Sequence, residues 1–329
     1  MKVLVTGATG LIGSFVAQQL IADGHKVKAM KREKSDLSLV AGIKDKVEWV
    51  EGNILDIYAC KKALEGIDAV VHSAAIISFR KKDIPDMFKT NVEGTENMVN
   101  LCLQKGIKRF IHISSIAAIG RTAKNIEINE TDKWEESSVN SNYAKSKYLA
   151  ELEVWRAGEE GLDIAIVNPS VVLGPGDWNK SSTRIFKYVW EERKFYTKGK
   201  LNYVDVRDVA KAVTVILDKS ISDERFILSG GSVFYKDFFE KVAKQFNKQA
   251  PTIKAGGFLL SIAVILEYLR AKITGSEPSV TSESKKSASM MFHYNNDKIK
   301  SGLNFKFHTL EETLGWACAL LIKKTASKL

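Results

Sequence analysis

Along the first 170 residues, short unbroken apolar runs alternate with stretches whose apolar positions recur every three to four residues. Val3-Leu4-Val5, His25–Met30, Val47–Val50, Ile67–Ala75, Arg109–Ser115 and Asp163–Val167 read as strands. A helix follows the first of them from Leu11, with Phe15, Val16, Leu20 and Ile21 on its apolar face. Helical patterns also precede Leu64, run from about Asn91 to Lys105, and begin again near Asn142. The strands are nearly continuous in apolar character rather than alternating. That texture belongs to a parallel sheet covered on both faces by helices, joined by right-handed crossovers.

After Pro169 the texture changes. Leu173-Gly-Pro-Gly-Asp177 is loop chemistry, and Trp178, Phe186, Tyr188, Trp190 and Phe195 follow in a mixed aromatic and basic stretch. Val204–Leu217 returns to a helical pattern and Arg225–Leu228 to a strand. Helices are expected near Tyr235–Asn247, at Phe258–Arg270 and from about Leu310, with a polar, serine-rich segment at Thr274–Ser289. The expected layout is a core over residues 1–170, to which 201–229 returns, and a smaller, mainly helical substrate lobe made of 171–200 and 230–329. The aromatic residues after Gly176 and the apolar run Phe258–Leu266 fit either the wall of an apolar pocket or the lobe's own core. The apolar run also fits a surface resting on a membrane.

The first strand meets its helix through Thr6-Gly-Ala-Thr-Gly-Leu-Ile-Gly13. Gly7 permits a tight turn, Gly10 lets backbone approach a pyrophosphate, and Gly13 lets helix and strand pack closely. The helix N-terminus adds N–H donors and positive potential. Glycine spacing alone is a weak signal; a strand before it and an amphipathic helix after it make it a dinucleotide-binding one. The fold class is therefore α/β, a Rossmann doubly wound parallel sheet with a C-terminal lobe.

Composition narrows the partners. The 329 residues are 45% apolar and 27% charged, with a formal charge of +10. A basic total favours anionic ligands such as a phosphorylated cofactor. The cations are nevertheless scattered in pairs and triplets such as Lys108-Arg109 and Arg80-Lys81-Lys82, so no nucleic acid is expected. Cys60, Cys102 and Cys318 are far apart and odd in number, which argues against a disulfide framework and fits a reducing cytoplasm. The five histidines show no HExxH or close pairing, so no metal is expected. The chain enters its first strand at once and its longest apolar run is too short to span a bilayer. Neither a signal peptide nor a transmembrane segment is expected.

Tyr143-Ala-Lys-Ser-Lys147 places a phenol and an ammonium one helical turn apart on one face. Taken by itself that pair is common on surface helices; its weight comes from following the fifth strand of a nucleotide-binding sheet. A phenol titrates near 10, and bringing it to about 7 takes roughly 4 kcal/mol of differential stabilisation. The expectation is that the Lys147 cation supplies much of this and readies Tyr143 for acid–base chemistry on a carbonyl or carbinol. Ser114 and Ser115 end the fifth strand at the carboxyl edge, where a hydroxyl can steady a reacting oxygen. Either serine also fits a mere strand cap.

These motifs occur in a family order: Thr6-Gly-x-x-Gly-x-x-Gly13, His72-Ser-Ala-Ala75, Asn91-Val-Glu-Gly-Thr95, Ser114-Ser115 with Gly120, Tyr143-x-x-x-Lys147 and Asn168-Pro-Ser170. Together with Gly174-Pro-Gly176 and Tyr203–Ala210, they resemble the extended short-chain dehydrogenase/reductase superfamily over essentially the whole chain. The nearest likeness is to its dihydroflavonol-4-reductase-like and 3β-hydroxysteroid-dehydrogenase-like branch. The resemblance implies Tyr143 as acid/base, Lys147 as its pKa partner and ribose ligand, and Ser115 as donor to the carbonyl oxygen. It implies cofactor contacts from Gly7, Thr9, Gly10, Leu11, Ile12 and Gly13, and from Asn91, Ser114 and the strand end Ser73, Ala74 and Ala75. Pro169 and Ser170 fall beside the nicotinamide. Asn53, before Ile54, departs from the usual aspartate facing the adenine amino group, but its carbonyl can still accept that bond. Ala75-Ile-Ile-Ser-Phe79 resembles the reductase branch more than the sugar-nucleotide branch.

The end of the second strand offers Lys31 and Arg32 where a carboxylate would bind both ribose hydroxyls. A guanidinium suits a 2′-phosphate and stacks on adenine, so NADP(H) is expected over NAD(H). An exposed basic turn without a ligand is the plainer reading. The leading expectation is reduction of a small-molecule aldehyde or ketone, in a chain that fits a homodimer. A nucleotide-sugar epimerase or dehydratase with retained cofactor, and a non-catalytic NADP(H)-sensing protein, stay open beside it.

Overall fold

A computed structural model describes residues 1–121, 127–137, 140–255 and 291–326. Strands β1 (Lys2–Thr6), β2 (Lys26–Lys31), β3 (Val47–Glu51), β4 (Ala69–His72), β5 (Arg109–Ile113), β7 (Asp163–Pro169) and β11 (Glu224–Leu228) form one sheet. Its order is β11-β7-β5-β4-β1-β2-β3, and every pairing is parallel. The order reverses between β1 and β4, so a crevice opens there at the carboxyl ends of the strands. This is the doubly wound α/β sheet that the apolar runs predict.

Alternation along each buried strand divides two cores. Val3, Val5, Val71, Ile111 and Val167 face helices α1 (Leu11–Ala22) and α7 (Val206–Asp218). Leu4, Val70, Phe110 and Ile166 face the other layer, α2 (Ile57–Ala63), α4 (Gly94–Lys105) and α5 (Asn142–Glu159). On this second face the apolar pattern stops near the carboxyl ends, where His72, His112 and Asn168 are buried in its place. Cys60, Cys102 and Cys318 are buried free thiols.

Two sequence-based boundaries shift. Val204–Leu217 is not one helix: Lys200–Asp205 is strand β10, and the helix begins only at Val206 because Asp205 caps it, accepting from Arg207 N. The helix expected from Asn91 starts at Gly94. Before it lie α3 (Ile84–Phe88) and a single π turn, Lys89–Glu93, that holds Asn91. Six further short strands, β6 (Glu127–Ile128), β8 (Val171–Leu173), β9 (Phe195–Tyr196), β12 (Gly231–Phe234), β13 (Ile253–Lys254) and β14 (His293–Tyr294), lack a sequence signal of their own and pair only with distant segments. The helix expected at Phe258–Arg270 and the serine-rich Thr274–Ser289 lie outside the described residues.

A third core forms from α6 (Arg184–Trp190), α8 (Tyr235–Phe246) and α10 (Leu310–Ala326), the last preceded by α9 (Asp297–Leu303). Phe186, Phe238 and Leu314 are fully buried there, and Trp178 packs on Trp190 and Phe246. Of the aromatics after Gly176, Trp178, Phe186, Tyr188 and Trp190 thus pack into this core, whereas Phe195 is exposed. Asp208 of α7 ties the segment before α10 to the sheet, accepting from His308 N at 2.9 Å and meeting His308 Nδ1 at 2.6 Å. Among the described residues no helix is long and apolar enough to cross a membrane.

Candidate active site

The β1–α1 loop is fixed by what its glycines lack. Gly7 has φ +68°, and a Cβ on it would lie 2.7 Å from Ala74 N at the end of β4. A Cβ on Gly13 would lie 2.3 Å from Gly7 O. Gly10 is different: it is exposed, and its Cβ would meet only Gly7 O, at 3.3 Å. Packing therefore demands Gly7 and Gly13, while Gly10 leaves clear space at the α1 N-terminus, where the first-turn N–H groups have no partner within the helix. Leu11 reaches the Gly174-Pro-Gly176 loop across this space: a Cβ on Gly174 would be 3.2 Å from Leu11 Cδ1. A bare helix end behind a backbone cradle fits a pyrophosphate.

Thr6 joins this loop to β4. Its Oγ1 accepts from Ser73 N and Ala74 N, each at 3.2 Å, and lies 2.9 Å from His72 Nδ1. His72 Nε2 meets Thr95 Oγ1 at 3.2 Å, and Thr95 donates to Asn91 O. Both ring nitrogens of His72 are thus engaged, and burial, with the Lys147 charge, holds its pKa down at about 3. Asn91 braces the chain after β4, accepting from Ile76 N at 2.7 Å and donating to Ile76 O and Ser146 Oγ. Ile54 is buried against the start of α4, where a Cβ on Gly94 would strike it. Asn53 is exposed, with Oδ1 accepting from Leu55 N. Lys31 and Arg32 part company at the end of β2. Lys31 Nζ lies 3.5 Å from Glu51, whereas the exposed Arg32 side chain has no hydrogen bond or ion pair among the described residues.

Ser141 caps α5, accepting from Ala144 N, and this sets the phase of the helix. Tyr143, Lys147 and Glu151 then follow at successive turns on the face turned to the sheet. Ser115 caps the short turn after β5 through Ala117 N, and its hydroxyl faces the Tyr143 phenol. Phe79 packs edge-on against the phenol at 6.1 Å. Burial raises the pKa of Tyr143, against the lowering effects of the Ser115 hydrogen bond and the Arg121 charge. This reverses the sequence-based expectation of a lowered value. Burial penalises the phenolate, and two of the Lys147 ammonium's contacts go to β5. The ammonium donates to Ile113 O at 2.8 Å and lies 3.3 Å from His112 Nε2. Burial brings Lys147 itself down to about 8, opposed by Glu151.

Glu151, Asn168 and His112 escaped the sequence reading as site residues. Asn168 donates through Nδ2 to Ser115 O at 2.9 Å and to Glu151 Oε1 at 2.6 Å, locking β5, β7 and α5 together. Burial raises the Glu151 pKa, while Arg225, Ser114, Asn168 and Lys147 oppose that rise. The signal was present: a carboxylate eight residues after Tyr143 shares its helix face, and two polar side chains interrupt buried strands. Ser114 and Ser170 are buried at the ends of β5 and β7, with Pro169 closing β7.

A dinucleotide cradle on one side of the crevice and a serine–tyrosine–lysine constellation on the other define a nicotinamide-dependent oxidoreductase. The family follows from comparison. The NAD dependent epimerase/dehydratase family matches residues 3–228, and the chain belongs to it. It is 32% identical over 234 residues to "Sterol demethylase protein B" of Methylococcus capsulatus, covering 70% of each chain. It is 27% identical to a putative dihydroflavonol 4-reductase of Synechocystis, covering 94% of this chain and 91% of that one. The solved structure of gox2253 superposes with a TM-score of 0.82 at 32% identity, over 98% of both chains. The protein is an NAD(P)-dependent enzyme of the short-chain dehydrogenase/reductase type acting on CH–OH or C=O groups.

Proposed function

We propose that the protein reduces an aldehyde or ketone with NADPH. The observation that carries this reading is the Tyr143 phenol held beside the Ser115 hydroxyl at the carboxyl end of β5, where burial favours its protonated form. A proton donor is the form that reduction needs, since the carbonyl oxygen gains charge as its carbon is reduced. Bound in the crevice, the reduced dinucleotide supplies a hydride. Ser115 donates a hydrogen bond to the carbonyl oxygen, and Tyr143 delivers its proton there. Lys147 offers its cation to the cofactor ribose and to the phenolate left behind. Pro169 and Ser170 border the nicotinamide position, and Asn91 keeps the Ser73–Ala75 edge in place.

Arg32 supports NADPH over NADH, because an uncommitted guanidinium at the end of β2 suits a 2′-phosphate while Lys31 is shared with Glu51. Replacing Arg32 with alanine should weaken NADPH by about tenfold or more and leave NADH nearly unchanged. Equal losses for both would remove the assignment. The reductase reading is tested by following NADPH consumption with aldehydes, diketones, ketosteroids and nucleotide sugars. The sterol-demethylating relative is the reason for including ketosteroids. Net oxidation with one carbonyl class supports it. Interconversion of a nucleotide sugar without net oxidation replaces it with an epimerase, an activity that the family name covers.

A further inference from the structure

We infer that His112 is a positioning residue of this site: its Nε2 accepts from the Lys147 ammonium and, with Ile113 O, fixes that ammonium at the carboxyl end of β5. The inference rests on the reading of Lys147 given above and adds a residue to it. His112 is 1% exposed and Lys147 2%. The two meet at 3.3 Å, and Ile113 O takes a second ammonium hydrogen at 2.8 Å. An ammonium has three donors and no lone pair, so His112 Nε2 must be the acceptor and Nδ1 carries the ring proton.

His112 Nδ1 is buried and has no hydrogen-bond partner among the described residues. The ring stacks on His72 at 5.6 Å and 20°, in direct register across β4 and β5, and both nitrogens of His72 are already engaged. Among the described residues the polar chain from Lys147 ends at His112, which serves as its anchor. The sheet, rather than the flexible lysine stem, decides where the ammonium sits, and the third ammonium hydrogen is left for ligand or phenol. The charged and titratable groups acting on this pair are His72 from β4, Glu151 from α5 and, beyond Glu151, Arg225 from β11. Burial and the Lys147 cation keep His112 neutral, so it remains an acceptor through the working pH range.

The test compares His112→Leu, which has no acceptor, with His112→Gln, whose amide oxygen can occupy the Nε2 position. NADPH affinity and turnover are measured from pH 6 to 10, and crystal structures of both variants locate Lys147 Nζ. Loss of the acceptor makes the ammonium less stable, so the alkaline limb in His112→Leu should move about one pH unit lower. Lys147 should also leave Ile113 O in that variant. His112→Gln should restore both the limb and the placement. An unmoved limb with Lys147 still on Ile113 O in His112→Leu overturns the inference, as does a glutamine variant no better than the leucine one. If no carbonyl is reduced, the reductase reading fails, and the crystallographic position of Lys147 still decides the role of His112.

Discussion

The two ends of the crevice are built by opposite means. At the β1 end, position is set by absent atoms: Gly7 and Gly13 have no room for a Cβ, and the surrounding bonds are backbone and hydroxyl. At the α5 end, position is set by buried polar and charged groups: Lys147 rests on His112 and a strand carbonyl, while Asn168 and Arg225 hold Glu151. The first end is defined by shape. The second holds groups at protonation states that burial makes costly and neighbouring dipoles make bearable.

Substitutions at the two ends should fail differently. Tyr143→Phe should lower turnover by about 10³-fold while NADPH affinity stays within about threefold, since only proton transfer is removed. A loss under tenfold, measured with any reducible carbonyl, would move the acid elsewhere.

Alkaline pH separates binding from stability at the α5 end. The Lys147 pKa lies at about 8 in the folded chain, lowered by burial from the usual 10.5. NADPH affinity should be full below that value and fall as the ammonium is lost above it. Between the two values the unfolded chain binds the extra proton, so this group's contribution to stability should rise with pH. Affinity and stability then move in opposite directions between pH 8 and 9.5. Fluorescence titration and urea unfolding read the two curves, and Lys147→Met should lack the stability rise.

The glycines sharpen the contrast at the other end. Gly13→Ala drives a methyl into backbone and should cost about 1–3 kcal/mol of stability. Gly10→Ala, at an exposed cap with ordinary φ, should stay within about 1 kcal/mol in urea unfolding but lose NADPH affinity. The reverse result would mean that the loop's spacing serves folding alone. Asn168→Ala removes donors from Ser115 O and the buried Glu151 carboxylate, and should cost about 2–3 kcal/mol by the same unfolding measurement.

This difference also governs what the sequence discloses. Glycine spacing is local, so Gly7, Gly10 and Gly13 are readable between a strand and a helix. Tyr143 and Lys147 are readable for the same reason, one turn apart on α5. The direction of the Lys147 side chain is not local. It depends on a carbonyl and an imidazole from β5, brought beside α5 only by the crossover. The raised pKa of Tyr143 has the same origin, because burial depends on packing rather than spacing. Strand β10 was hidden because its last residues run directly into the helical apolar pattern of Val204–Leu217, and only the Asp205 cap marks where strand becomes helix. Short strands such as β8 and β14 exist through their partners and leave no periodic mark.

The central claim is that hydride leaves the cofactor and stays on the product. The most direct measurement supplies NADPH deuterated at the transferred position together with the carbonyl panel and nucleotide sugars, and follows products by mass spectrometry. The account predicts one deuterium on a carbinol carbon for each NADP⁺ formed, with both signals lost in Tyr143→Phe. A nucleotide sugar that changes configuration with no deuterium gained and no NADP⁺ released would contradict it.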